Sequence, residues 1–378
     1  MKKTLSLIAA LVMALTVISL PALAEAPTPI LVGAIAPNTG DLAAYGEAVS
    51  NGIKLAVEEI NNAGGVLDGR LLEVTYMDDK GDSTEGGNAF NKLVSDGVCA
   101  IIGSVTSGVT AGLGVLADAE GMLLLTPTAT ADTVTDGLTG VFRACYKDSF
   151  QGEVAAKLAV DLGVKKVAVL YASGDTYSAG LYESFKAASE MLGLELVATE
   201  STSGVHDTDF TTQLTNIVAT GAELIFAPFY YDTVGPYIVP QARAAGFNGY
   251  FAGADGWDGT LGTMVEDKSL YNMSFFVNHY APDDPSDVVQ NFVKGYSDKF
   301  GAESLNALAA LAYDSVYMLA QAINAAGTDD TAAIIEAMTG MTFSGVTGSF
   351  TLDETGTPAK AAPVIEYVDG TAKFYKNI

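Results

Sequence analysis

Two hydroxyl-rich runs, Ser104-Val105-Thr106-Ser107-Gly108 and Thr126-Pro127-Thr128-Ala129-Thr130, each follow a short apolar stretch. Such stretches read as buried strands, so both runs fall where a strand gives way to a helix. A helix beginning near Ser107 presents free backbone N–H groups beside a serine hydroxyl, a pairing suited to a carboxylate or a phosphate. Plain N-capping accounts for either run taken alone, because Ser and Thr do it routinely. Two such runs on successive strand–helix turns point to one cleft and one anion. Neither contains Lys or Arg, which fits a carboxylate held by neutral donors better than a multiply charged phosphate. Far along the chain, Gly253-Ala254-Asp255-Gly256-Trp257 also follows an apolar run. Asp255 there is suited to meeting an ammonium group, or to being a turn aspartate that bonds its own backbone. Tyr45, Tyr177, Tyr230, Tyr231 and Trp257 fall on similar turns. Their rings offer either an enclosure for an apolar side chain or ordinary loop packing.

Other patterns lack the context their chemistry needs. Gly112-Leu113-Gly114 with Ala117 matches a dinucleotide fingerprint, but it sits inside a helical stretch rather than at a strand–helix junction. Asp78-Asp79-Lys80-Gly81-Asp82 lacks the twelve-residue calcium-loop pattern and reads as a polar turn. His206 and His279 are the only two histidines, too few for a zinc site or a Ser–His–Asp arrangement. His206-Asp207-Thr208-Asp209 reads as the capped start of a helix, and no G-x-S-x-G elbow is present. The sequence thus predicts a non-enzyme, with no catalytic residue, no metal and no cofactor.

The elements that must position these groups alternate from end to end. Apolar or β-branched runs at 30–36, 72–78, 98–102, 122–125 and 141–144 read as strands. Between the first two, Val49, Ile53, Ala56, Val57 and Ile60 share one helical face. The cycle restarts near Asp148–Gln151, with strands at 166–171, 195–199, 224–228 and 250–252 and helices at 180–192, 210–219 and 233–245. A second return falls near Val277–Tyr280. Two helices, near 288–299 and 304–325, and a hairpin-like end around Asp353-Glu354-Thr355-Gly356 follow it. Strands buried on both faces between helices imply parallel, helix-covered sheets. No Pro-, Gly- or Ser-rich linker divides the chain, which fits several crossings between two lobes. Cys99 and Cys145 read as two buried thiols rather than a bridge.

Lys2 and Lys3, an apolar run to Leu20 and the triplet Ala22-Leu23-Ala24 form a secretory signal with cleavage after Ala24. Its removal leaves 354 of the 378 residues, enough for two domains, and takes the formal charge from −26 to −28. No later run reaches the roughly 18 apolar residues of a membrane helix. So acidic a chain repels nucleic acid and anionic lipid, and neither is an expected partner.

The segments 32–46 (VGAIAPNTGDLAAYG), 52–65 (GIKLAVEEINNAGG), 67–79 (LDGRLLEVTYMDD), 100–107 (AIIGSVTS), 126–130 (TPTAT) and 142–152 (FRACYKDSFQG) stand in a telling order. With 207–214 (DTDFTTQL), 241–247 (QARAAGF) and 254–257 (ADGW), they resemble the periplasmic solute-binding proteins of ATP-driven amino-acid importers, of the leucine/isoleucine/valine-binding type. The resemblance covers nearly all of the chain after the leader. It implies an α/β fold of two similar lobes, each a parallel sheet covered by helices on both faces and joined by three crossovers. Residues 25–147 plus 278–362 would form one lobe, and 148–277 plus 363–378 the other. It also implies roles: Ser107 and the Thr128-Ala129-Thr130 run for a ligand's α-carboxylate, and Asp255 for its α-ammonium. Tyr45 and Tyr177 would line the site, joined by Tyr230 or Tyr231. Some relatives carry a small apolar residue at Thr128 and often a tryptophan at Tyr45, which leaves the ligand's side chain open. The expected protein is a monomeric periplasmic carrier that captures an amino acid, first of all Leu, Ile or Val, and delivers it to the membrane subunits of an ABC permease. The alternatives are a soluble extracytoplasmic sensor or co-receptor for an amino acid or small carboxylate and, less in keeping with the residues, an exported hydrolase.

Overall fold

A computed structural model describes residues 27–259 and 264–378, and the leader read in residues 1–24 lies outside them. Five strands, β1 (Ile30–Ala36), β2 (Leu72–Asp78), β3 (Ala100–Ile102), β4 (Leu123–Thr126) and β5 (Val141–Arg143), form a first sheet in the order β2-β1-β3-β4-β5. All its pairs are parallel. β3 and β4 are buried along their whole length, as unbroken apolar runs must be when helices cover both faces. The covering helices include α1 (Ala43–Asn62), α2 (Ser83–Ser95) and α3 (Ser107–Glu120). The acidic run before α2 is a polar turn. Asp78 and Asp79 accept backbone N–H groups, and Asp82 caps α2 through the N–H groups of Thr84 and Glu85. Gly112 and Gly114 lie in the interior of α3.

The chain then passes into α4 (Asp148–Asp161) and a second sheet begun by β6 (Lys166–Ala172), followed by α5 (Thr176–Leu192), β7 (Glu195–Thr202), α6 (Thr211–Ala219), β8 (Leu224–Phe226) and β9 (Tyr250–Gly253). Before β9 a helical stretch begins at Tyr231 and ends with α7 (Val239–Ala244). α6 follows the run His206-Asp207-Thr208-Asp209, within one residue of the start expected at 210. Asp209 receives the Thr211 N–H at 3.0 Å, whereas His206 remains outside the helix with Nδ1 2.7 Å from Asp232. After β10 (Ser274–Val277) come α8 (Asp287–Phe300), α9 (Ala307–Ala326), α10 (Thr331–Met338) and the hairpin β11 (Thr342–Gly345) and β12 (Gly348–Thr351). Asp353-Glu354-Thr355-Gly356 is a tight turn beyond that hairpin, with Asp353 accepting the N–H groups of Thr355 and Thr357.

The second sheet has the order β14-β13-β10-β9-β8-β6-β7, its last strands being β13 (Pro363–Val368) and β14 (Thr371–Asn377). Unlike the first, it is not wholly parallel, since β13 pairs antiparallel with β10 and β14 with β13. β10 leaves the sheet at a crossing and β13 enters it from one, so the two run in opposite directions. β14 then returns through Asp369-Gly370, whose φ values of 50° and 75° suit a two-residue hairpin.

Three passes of chain join the sheets, and they bond to one another. Tyr146 Oη donates to Asn278 O at 2.5 Å, Asn278 N to Pro363 O at 2.8 Å, and Lys360 Nζ to Ala144 O at 2.8 Å. Cys99 and Cys145 are both free and buried. Burial pushes the Cys145 thiol up to about 12, so it is inert as a nucleophile. Among the described residues no helix is long and apolar enough to cross a membrane.

Of the two readings open for Trp257, the structure takes packing. Instead of lining a cleft it is fully buried, with Nε1 donating to Ala227 O at 2.8 Å. Its indole occupies the space over Gly253, where a Cβ would lie 2.2 Å from the ring. That glycine lets the strand end fold back tightly enough to seat Asp255. Gly253→Ala is therefore expected to destabilise the protein by about 1–3 kcal/mol through overpacking. Denaturant unfolding monitored through Trp257, the single tryptophan, checks this, and an unchanged midpoint would show that the ring has room to yield.

Candidate functional site

In parallel α/β sheets, ligands sit beyond the carboxyl ends of the strands, close to helix N-termini. At that end of the first sheet, hydrogen bonds stitch the two hydroxyl runs together. Thr126 Oγ1 donates to Ser104 O at 2.8 Å and accepts the Ala129 N–H at 3.0 Å. Thr128 Oγ1 donates to Val105 O at 2.8 Å, and Ser107 Oγ accepts the Ala131 N–H at 3.2 Å. Ser107 is the first residue of α3, where unpaired backbone N–H groups gather. Beneath this corner lies Arg143, buried at the end of β5. Its guanidinium donates to the carbonyls of Ala129, Thr130, Ala131 and Asp132 at 2.8–3.3 Å and to Thr135 Oγ1 at 3.0 Å. The loop thus keeps its shape because one cation collects its carbonyls. Arg143 and its role escaped the sequence reading, although an arginine inside an otherwise apolar strand is a detectable signal.

Asp255 dominates the second lobe's side. It is 4% exposed, and each donor that reaches its carboxylate is uncharged or neutral when unprotonated. Tyr177 Oη donates to Oδ1 at 2.9 Å, Gln151 Nε2 to Oδ1 at 3.0 Å, and His279 Nε2 to Oδ2 at 2.9 Å. Gln151 Oε1 also accepts the Asp255 N–H at 3.1 Å, and Tyr177 Oη accepts that of Gly256 at 2.8 Å. Burial lowers the pKa of His279, more than the adjoining carboxylate raises it. Its Nδ1 is buried with no partner, so a second proton would be stranded there. Asp148 shares the Gln151 amide at 3.2 Å. Burial and, next, the nearby Asp255 charge drive its carboxyl well above the usual carboxylate range. Asp148 is thereby pushed toward its neutral, protonated form.

Both sides line one small cavity of about 20 Å³, bounded by Tyr45, Val105, Thr106, Ser107, Thr128, Tyr177, Tyr230, Asp255, Gly256 and Leu308. That is room on the scale of a water molecule. Tyr45 bridges the sides, its hydroxyl donating to Gly256 O. Its ring meets Tyr230 edge-on at 6.0 Å and Tyr231 at 4.8 Å, and Tyr177 stacks on Tyr230 at 5.2 Å. Burial raises the Tyr45, Tyr177 and Tyr230 phenols well above their ordinary value, so all three remain neutral, and the Tyr230 hydroxyl is buried without a partner. Tyr45 and Tyr177 sit in the first turns of α1 and α5 rather than on loops.

Of the residues singled out from sequence, Tyr45, Ser107, Thr128, Tyr177, Tyr230 and Asp255 come together around this cavity. Ala129, Thr130 and Tyr231 stand behind the lining. Ala129 is fully buried, Thr130 has its Oγ1 buried without a partner, and Tyr231 packs on Tyr45. Gln151, Asp148, His279 and Leu308 were missed. Larger hollows of about 300 and 380 Å³ lie beside the crossings, but size does not decide the matter. The small cavity is where a buried carboxylate held by neutral donors meets a helix N-terminus. Among the described residues no group of three or more His, Cys, Asp or Glu is arranged to hold a metal ion.

Known proteins match the chain over nearly its whole length. The sequence profile of the periplasmic binding protein family matches residues 29–372. A Leu/Ile/Val-binding protein homologue of Brucella melitensis is 34% identical over 334 residues, 86% of this chain and 88% of its own. A leucine-binding protein from Thermotoga maritima superposes with a TM-score of 0.85 at 32% identity, over 92% of this chain and 98% of that one. A branched-chain amino acid transporter substrate-binding protein of Streptococcus pneumoniae, in complex with isoleucine, gives a TM-score of 0.85 at 31% identity, over 93% and 99%.

Beside the site, Asp258 Oδ2 accepts the Asn278 side-chain amide and the Ala307 N–H, both at 2.8 Å, so it ties the Asp255 turn to the N-terminus of α9. Burial pushes its carboxyl up to about 6. The folded protein thus binds a proton that the unfolded chain has already released between the ordinary carboxylate range and pH 6. Acidification through that window should stabilise the wild type relative to Asp258→Asn, by about 1–3 kcal/mol in all. Urea unfolding of both proteins between pH 4 and pH 8 checks the sign, and an opposite trend would mean that the ionised carboxylate is favoured.

Proposed function

The chain belongs to the periplasmic binding protein family, and from that premise we propose that it captures a neutral, branched aliphatic α-amino acid between its lobes. The family is one of solute-binding transport proteins that work outside the cytoplasm. On this reading the ligand's carboxylate meets Ser107, Thr128 and the first N–H groups of α3. Its ammonium meets Asp255, and its side chain lies against Val105, Leu308 and the faces of Tyr45, Tyr177 and Tyr230. Leu, Ile and Val are the favoured ligands, in keeping with the relatives' names.

One observation carries the proposal: Asp255 is a buried carboxylate whose Tyr, Gln and His donors hold it without neutralising it. A buried negative charge is costly unless paired and hydrogen-bonded, and the α-ammonium is the group that pairs it. The opposite wall offers a hydroxyl and a helix N-terminus, which favour a carboxylate. A zwitterion satisfies both walls at once, and a small aliphatic body suits the apolar and aromatic remainder. Contacts made to both walls together exist only when the lobes are closed, so the ligand shifts the population toward closure.

The closing lobes are residues 25–147 plus 278–362 and residues 148–277 plus 363–378. The protein is exported with its leader removed after Ala24, works as a monomer in the periplasm, and delivers its ligand to the membrane subunits of an ABC permease. Titration calorimetry against the full set of L-amino acids tests ligand class, with Leu, Ile and Val expected to bind tightest. Asp255→Asn is expected to weaken that binding by 3–5 kcal/mol, more than a hundredfold, as for other broken buried charge pairs. Ser107→Ala should cost about 1.5–3 kcal/mol, the worth of a hydrogen bond to a charged group. Unchanged affinity in Asp255→Asn would overturn the ammonium assignment, and tighter binding of an amine-free acid would overturn the ligand class.

A further inference from the structure

We propose that His279 is a positioning residue for the ammonium-binding carboxylate, holding Asp255 from inside the second crossing as a donor that carries no charge. This rests on the amino-acid reading above and adds a residue to it. His279 lies two residues beyond β10, where the chain leaves the second sheet. Its side chain is fully buried, with Nε2 2.9 Å from Asp255 Oδ2. The ring lies against Tyr146 of the first crossing, centroids 4.0 Å apart and tilted by 31°, and the Tyr146 hydroxyl donates to the carbonyl of Asn278 at 2.5 Å. The imidazole is thereby fixed from two sides.

Neutrality is what makes the donor useful. Nδ1 has no acceptor, so the ring carries its single proton on Nε2, pointed at the carboxylate. An ionised carboxylate offers about four lone-pair positions. Tyr177, Gln151 and His279 fill three of them, which leaves one for a ligand N–H. A lysine or arginine in the place of His279 would orient the carboxylate equally well but cancel the charge that the ligand is to meet. An apolar residue would leave the charge in place and Oδ2 without a donor.

The neighbouring residue extends the same device. Asn278 Oδ1 accepts the His279 N–H at 2.8 Å, while its amide donates to Asp258 Oδ2 at 2.8 Å. Two successive residues of one crossing therefore hold both carboxylates of the 255–258 turn. The group that reads the ligand's amine is bolted to the segment that joins the lobes, so charge capture and lobe position share a part.

The test uses the mature protein and calorimetry with L-leucine, L-isoleucine and L-valine on wild type, His279→Leu and His279→Gln, with the ligand-free thermal midpoint of each recorded. His279→Leu should bind roughly ten- to a hundredfold more weakly, the worth of a hydrogen bond to a charged group. His279→Gln has an Nε2 donor at matching reach and should stay within about threefold of wild type. Equal affinity in His279→Leu overturns the proposal. So does an equally large loss in His279→Gln with a wild-type midpoint, which would mark His279 as packing only. Should His279→Leu fail to fold, His279→Gln decides alone: affinity within about threefold of wild type supports the role, and a tenfold loss or more overturns it. A wild type that binds none of these amino acids removes the ligand reading and this inference together, whereas a binding wild type with an indifferent His279→Leu removes only the inference.

Discussion

Asp255 is an ionisable group placed where water scarcely reaches, and the surrounding structure is arranged to keep it usable. Taking a carboxylate out of water costs several kcal/mol per ion even after the protein relaxes. A lysine or arginine beside it would lower that cost and remove its capacity to bind a second cation. The chain instead surrounds Asp255 with a phenol, a carboxamide and an imidazole, drawn from α5, α4 and the second crossing. Asp148, pushed toward its neutral form by burial and by Asp255, completes the setting without adding a second negative charge. The back-folded Trp257 over Gly253 and the Asp258 tie to α9 both serve to hold the turn in this surrounding.

On the proposed reading, the architecture serves to bring two chemistries together only when the lobes approach. Parallel sheets put strand ends and helix N-termini on one edge, so each lobe can offer one binding wall. The first lobe offers Ser107, Thr128 and the start of α3, and the second offers Asp255, Tyr177 and Tyr230. Three crossings bonded to each other through Tyr146, Asn278 and Lys360 give the two walls a shared base. The antiparallel end of the second sheet is a consequence of the third crossing, since a strand entering where β10 leaves has only one direction available.

The sequence made the strands and the hydroxyl corners legible because both are local. An apolar run such as 123–126 buries whichever partner it finds, and the hydroxyl run at Thr106-Ser107 stands at the start of a helix, where such residues are common. Asp255 was legible as a charge between glycines at a strand end. Of its donors Tyr177 was named as a lining ring, but Gln151, 104 residues away, was not, because it carries no local signal of what it will face. His279 looked like a stray histidine for the same reason. Trp257 stayed open between cleft and packing because its neighbours do not indicate that Gly253 leaves a slot for an indole. The run around His206 was legible as a helix start, with Asp209 accepting the Thr211 N–H, whereas the pairing of His206 with Asp232 in space was not.

Arg143 gives the site its second pole. Its guanidinium is buried beneath the 129–132 loop, and its two Nη groups donate to carbonyls and one threonine hydroxyl. Carbonyls orient an arginine and soften its charge without cancelling it. In a poorly screened interior that charge extends well beyond hydrogen-bond distance. The N-terminus of α3 adds partial positive charge on the same side. The first lobe's wall thus has a guanidinium beneath it although no cation lines it, and the second lobe's wall carries the Asp255 carboxyl group. On the proposed reading this polarity orients the ligand. A zwitterion turned end for end would set its carboxylate against Asp255 and its ammonium against helix N–H groups, with repulsion at both walls. A net charge of −26 across the chain does not disturb this arrangement, because solvent screens the surface and not the buried poles. On that reading, recognition of one ligand orientation depends on Asp255 and Arg143, two buried groups each held in its own network of hydrogen bonds.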